Sequence, residues 1–235
     1  MRYSQRRCLA TEDLQMNQTL TLIAICLCGL AALADEPPKP ASVKEPELRS
    51  ELLQRTKGDQ EARKAFITWM NEHGTCGSVV TAALSKEEQA EFERLSGRLK
   101  AVDEENTKWL QGVVEKHGWP TPSLVGEDGA SAAWLLVQHA DADPKFQRKC
   151  LDLMTRLPKG EVSPSNLAYL TDRVLLAEGK KQRYGTQFTS VDGKWQPHPP
   201  RRRSQRRQLR AQAGLPPLAE YAKLIEQEYG GSPKK

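Results

Sequence analysis

Four short polar motifs lie close together in the chain: Gly118-Trp119-Pro120, Gln138-His139-Ala140-Asp141, Tyr169-Leu170-Thr171-Asp172-Arg173 and Tyr184-Gly185-Thr186-Gln187. An imidazole accompanied by carboxylates is the composition of a general acid–base site. In that reading His139 carries the proton, and Asp141 or Asp172 orients it. A neighbouring carboxylate and a helix C-terminus would both favour the protonated imidazole. The competing reading is a satisfied core histidine, with Asp141 capping backbone at a helix junction. Arg173 offers a planar fork suited to an anionic ligand group, or else it pairs with an acid across helices. Gln138, Tyr184 and Gln187 complete a candidate ligand-binding set. His73, His117, His139 and His198 show no spacing typical of a metal site. No Gly-rich phosphate loop and no Gly-x-Ser-x-Gly elbow occurs. No metal and no cofactor is therefore expected.

The elements that must position these groups are mostly helices. Leu48 and Leu52, then Ala62, Phe66 and Met70, recur at four-residue spacing, with Gly58 as a weak point between them. Ser85 and Glu88 form a capping-box signal, and Phe92, Leu95, Leu99, Val102, Trp109 and Val113 make one seam of a long helix. Asn106 interrupts that seam. Gly118-Trp119-Pro120 stops the helix, since proline disfavours a helical residue before it. Within Ala130 to Ala140, the residues Ala132, Ala133, Trp134, Leu135, Leu136 and Val137 are apolar in every direction, so the segment predicts a buried central helix. Asp143-Pro144 and Ser163-Pro164 each open a further helix. From Gln182 to His198 the period changes to two around Asp192-Gly193, a hairpin turn that sets Gln187 opposite His198. Gly185 within that run suggests a bulge or the close approach of other backbone. The fold class is mainly α (α+β): a single helical domain around a buried central helix, with one β-hairpin near 182–198.

Leu20 to Ala34 is an uncharged apolar run ending in Ala32-Leu33-Ala34, so residues 1–34 read as a signal peptide cleaved after Ala34. Met1 and Met16 are alternative translation starts. The alternative is an uncleaved N-terminal membrane anchor. Residues 35–45 form a proline-rich tether, 46–229 the domain and 230–235 a disordered tail. The expected location is periplasmic or secreted. Cys76 and Cys150 then form the pair left in an oxidising compartment. A bridge between them and a pair of free thiols are equally compatible with the sequence. The net charge of +5 hides a local excess, because residues 194–210 hold seven basic side chains and no acid. Arg201, Arg202, Arg203, Arg206 and Arg207 could face an anionic surface, or open a solvated helix. Nucleic acid is not an expected partner, because no aromatics interleave the arginines.

The ordered motifs at 118–120, 124–129, 134–141, 146–150 and 184–188 resemble an uncharacterised bacterial family of domains of unknown function. The likeness extends more weakly to Leu48–Leu53, Asp59-Gln60, Asp103 and Asn106, and forward to Gly214-Leu215-Pro216-Pro217. The resemblance implies kinship and no activity. The stretch around Cys76 looks like an addition to it, and Pro199 to Arg203 stands where relatives carry an acidic-proline step. The first functional reading is a binding or interaction module whose polar pocket gathers the candidate residues. The alternatives are a metal-independent hydrolase of an envelope-related substrate and a structural helical domain. Substrate, partner and oligomeric state are not encoded in any recognisable motif.

Overall fold

The computed structural model describes residues 43–73, 84–191, 194–199 and 203–229. The signal or anchor segment, the tether up to residue 42, Cys76, Asp192-Gly193, Arg201, Arg202 and the tail 230–235 lie outside them. Among the described residues there are seven helices and one two-stranded sheet, mainly helical and forming a single domain. No helix there is long and apolar enough to cross a membrane.

Helix α1 (Pro46–Glu72) and helix α2 (Lys86–His117) run side by side. Gly58 does not break α1, whose helical residues continue to either side. The α2 start is the capping box: Ser85 accepts from the Glu88 backbone N–H, and Glu88 accepts from that of Ser85. Its stop is Gly118 at φ 72°, a backbone conformation that side-chain-bearing residues avoid.

Helix α3 (Pro122–Gln138) is the centre, touching α1, α2, α4 (Pro144–Thr155) and α5 (Pro164–Ala177). From Ala132 to Ala140 every residue but Leu135 is buried. The helix begins earlier than its apolar run because Pro122 opens it. Gly126, at φ 78°, breaks it between the two parts. Gly129 is needed for packing: a Cβ there would sit 2.9 Å from the Val125 Cβ and 3.3 Å from the Arg49 side chain on α1.

Asp143 caps α4 by accepting from the Phe146 N–H, as its position before Pro144 predicts. Strands β1 (Phe188–Val191) and β2 (Lys194–Pro197) pair antiparallel, Val191 against Lys194. The predicted register holds one step further, where the His198 N–H donates to the Gln187 carbonyl at 3.0 Å. Helices α6 (Arg203–Gln212) and α7 (Leu218–Tyr229) close the fold, with Tyr221 and Ile225 in the core.

Two apolar clusters result. The larger surrounds α3 and holds Leu52 and Leu110; the smaller joins Ala62, Phe66, Trp69 and Met70 to Leu95 and Leu99. Along α1 and α2 a polar layer lies between them: Asp59 and Arg63 on α1, Asp103 and Asn106 on α2. Cys150 is a free thiol wholly inside the larger cluster, and burial pushes it up to about 12, so it is unreactive at neutral pH.

Candidate functional site

The candidate residues separate into three hydrogen-bonded groups. The first surrounds His139, which caps α3 and is 7% exposed. Its companion is neither Asp141 nor Asp172. Instead Asp59 Oδ1 and Arg63 Nε, both from α1, lie 2.9 Å from Nδ1. One nitrogen cannot accept from Arg63 and donate to Asp59 at once. A lone pair facing a carboxylate oxygen at that distance is repulsive, so Nδ1 carries the hydrogen and donates to Asp59. The Arg63 Nε–H then serves Asp59 Oδ1 at 3.2 Å. Gln60 donates to the other Asp59 oxygen at 2.7 Å, and Arg63 Nη2 donates to Asp103 on α2.

Electrostatics follow from this burial. Burial and the Arg63 charge outweigh Asp59 and take His139 down to about 4. The imidazole is therefore neutral at physiological pH, contrary to the protonated form expected from sequence. Burial opposes the charge on Asp59, yet His139, Arg63 and Gln60 hold its carboxyl below the usual range. Asp103 behaves in the opposite way. Burial, opposed by Arg63 and reinforced by Asp59 and Asp141, pushes it up to about 7.

Asp59, Asp103 and His139 also bring metal-capable atoms within 4.8 Å of one another. Arg63 donates to both carboxylates and lies beside the imidazole, so it already supplies the positive charge that a cation would. We therefore read this cluster as a charge-balanced brace across α1, α2 and α3.

The second group is built on Gln138 and Asp141. Arg173, 2% exposed on α5, donates through Nη1 to both Asp141 oxygens at 2.7 Å and through Nε to Gln138 Oε1 at 3.2 Å. Gln147 on α4 donates to Asp141 and to the carbonyls that end α3, at 3.0–3.3 Å. Arg173 is thus spent on internal partners and ties α5 to the end of α3. The Gln138 Nε2 is buried without a partner among the described residues.

The third group is a backbone clasp. Asp172, fully buried, accepts from the N–H groups of Arg183, Tyr184 and Thr186 and from the Thr186 hydroxyl. Burial pushes its carboxyl up, and these donors oppose the shift without cancelling it. The clasp explains why residues 182–187 are not the strand that their alternation suggests: the N–H groups of Arg183, Tyr184 and Thr186 are committed to Asp172. Gln182 closes the same loop, donating to the Gln187 and His198 carbonyls and accepting from the Gln187 N–H. The Gln187 side chain donates to Thr186. Tyr184 takes part through its backbone, and its ring packs against the core.

Gly185 has φ 77°, and a Cβ there would approach Leu218 at 3.3 Å and Arg206 at 3.4 Å. Its close neighbour is the chain around Arg210. That arginine is 2% exposed and donates to the Tyr184, Gly185 and Pro216 carbonyls. The last arginine of the basic run therefore points inward. Of the remainder, Arg207 is exposed and Arg206 half-buried.

An open groove of about 520 Å³ lies along α1 and α2, walled by Glu47, Gln54, Gly58, Val102 and Asn106 among others. That volume is in the range of small-molecule sites. It exists because the helices face each other there with a glycine and a valine; a Cβ on Gly58 would meet nothing within 4 Å. Arg55 crosses one wall, bonded to Glu51, Glu105 and Asn106 Oδ1 and lying 4.5 Å over the Trp109 ring. Asn106 is 6% exposed, and its Nδ2 is buried without a partner among the described residues. Asp103 and Asp59 sit one helical turn from Asn106 and Arg55, so the groove borders the His139 brace.

Over residues 46–234 the sequence matches a family described as a family of unknown function, DUF6624. The kinship expected from the ordered motifs is met. No curated protein and no solved structure matches the chain.

Proposed function

Because the chain belongs to the DUF6624 family, whose function is unknown, we propose from its geometry that it is a binding module with its ligand site in the α1–α2 groove. The observation that carries this reading is Asn106. A buried amide interrupts an otherwise apolar seam at the wall of an open cavity of small-molecule size, where an apolar side chain would pack the two helices at lower cost. The three polar groups around Gln138, His139 and Asp172 hold the helices that form and support this cavity. Binding is favoured over hydrolysis because the proposed bases are engaged internally. His139 is committed to Asp59, and Asp141 to Arg173 and Gln147. The apolar run before Asp35 supports a module acting outside the cytoplasm.

The test is to fill the groove without disturbing the fold. Gly58→Leu projects into open space and removes a helical glycine, which costs about 0.5–1 kcal/mol relative to alanine. The variant should melt at or above the wild-type temperature. In a thermal-shift screen of polar small molecules, compounds that stabilise the wild type should leave Gly58→Leu unshifted. Compounds that stabilise both proteins equally would place the site elsewhere.

A further inference from the structure

Arg63 reaches α2 through one bond. Its Nε serves Asp59, four residues earlier on the same helix, and only its Nη2 crosses to Asp103. Asp103 has no other hydrogen-bond donor among the described residues. The neighbouring acids are better served. Asp59 accepts from His139, Arg63 and Gln60, and Asp141 accepts from Arg173 on both oxygens and from Gln147.

Charge in this layer does not balance. Asp59 and Arg63 face Asp103 from α1, and His139 and Asp141 face it from the end of α3. Arg173 on α5 stands behind Asp141, and α4 contributes the neutral Gln147. On α2 itself the exposed Lys100 and Glu104 lie 3.8 Å apart and add no net charge. Three carboxylates thus meet two guanidiniums around a neutral imidazole. An uncompensated charge in a buried layer is costly, and uptake of one proton removes it. Asp103 is the acid placed to take it. It has a single donor, its side chain is 23% exposed so that a proton can enter and leave, and burial pushes its carboxyl up to about 7.

We propose that the brace is proton-gated: with a proton on Asp103 the α1–α2 seam is closed, and loss of that proton loosens it. The protonated acid still accepts from Arg63 through its carbonyl oxygen, and it no longer repels Asp59 and Asp141. Once ionised, it stands near two other carboxylates while sharing its one guanidinium with Asp59, and α2 carries it towards water. Val102, beside Asp103, and Asn106, one turn on, wall the groove, so the proton also sets how firmly that wall is held. The gate stands whether or not the groove takes a ligand.

Amide hydrogen exchange of the protein at pH 6, 7 and 8, corrected for the intrinsic exchange rate, tests the gate. Amides of Leu99, Asp103 and Thr107 should open more often than the whole protein unfolds, as measured in urea at the same pH. Their opening constants, taken as a ratio to those of Asp103→Asn, should rise about tenfold from pH 6 to pH 8. A ratio that stays flat, or amides there that exchange only through global unfolding, would overturn the proposal. The wild type gives a second reading that needs no variant. The Asp103 carboxyl carbon and the backbone amide of Arg63 on α1 should titrate together, with a midpoint near 7. A carboxyl that titrates near its ordinary 3.8, or one that titrates while α1 does not respond, would overturn it as well.

Discussion

Asp172→Ala should lose about 3–5 kcal/mol of folding stability, the range for removing one partner from a buried charged network. The carboxylate is fully buried and receives three backbone N–H groups and a hydroxyl, so its loss strands several donors in a dry loop. The damage should also spread. Arg210 bonds to the Tyr184 and Gly185 carbonyls of that loop, which couples the clasp to α6 and α7. Urea unfolding gives the stability, and amide exchange at Thr186 and along Phe188–Pro197 should quicken. Asp172→Asn keeps one acceptor and should fall between the variant and the wild type. If Asp172 instead served a ligand, its replacement would leave stability close to wild type.

The second large effect is visible only as a difference between pH profiles. His139 is held down at about 4 in the fold and returns to its ordinary 6.5 when unfolded. Between those values the unfolded chain binds the extra proton, so this residue makes stability rise with pH. Asp103 is held up at about 7 against an ordinary 3.8. Between those values the folded protein keeps the proton, so stability falls as pH rises. From about pH 4 to 6.5 the two slopes oppose each other and nearly cancel in the wild type.

Asp103→Asn removes the falling slope. Its stability relative to wild type should rise by roughly 2–3 kcal/mol across that window, at about 1.4 kcal/mol per unit. His139→Gln should show the opposite trend. Subtracting the wild-type curve, measured by urea unfolding at pH 4.5, 5.5 and 6.5, removes the contribution of every other titrating group. Parallel curves for wild type and both variants would mean that neither group is perturbed by the fold.

Local signals in the sequence were good guides to local structure. Ser85 with Glu88, Asp143 before Pro144 and Gly118 before Trp119 each specify a helix end through backbone bonds made within a few residues. The all-round apolar run likewise marked α3 as the centre. The hairpin register was legible, but the start of its strand was not. Alternation at 182–187 describes side chains, whereas what ends the ladder is a carboxylate on α5 that takes the N–H groups.

The candidate site was harder for the same reason. His139 was recognisable as a polar group on a buried helix. Its partner Asp59 lies 80 residues away on another helix, and the nearer carboxylates, Asp141 and Asp172, are held by Arg173 and by backbone. Chain proximity favoured the wrong acids. One signal did point across the gap: Asn106 broke an apolar seam where a leucine would pack, and it stands at the wall of the groove.

The central claim is that the motif residues brace the helices while the α1–α2 groove receives the ligand. Amide chemical-shift mapping of the protein during titration with a fragment mixture tests this most directly. The account predicts that saturable perturbations centre on Gln54, Gly58, Val102 and Asn106, with residues 138–141 and 172–173 unmoved. Saturable perturbations centred on Gln138–Asp141 and Asp172–Arg173, with Gly58 and Asn106 silent, would contradict it.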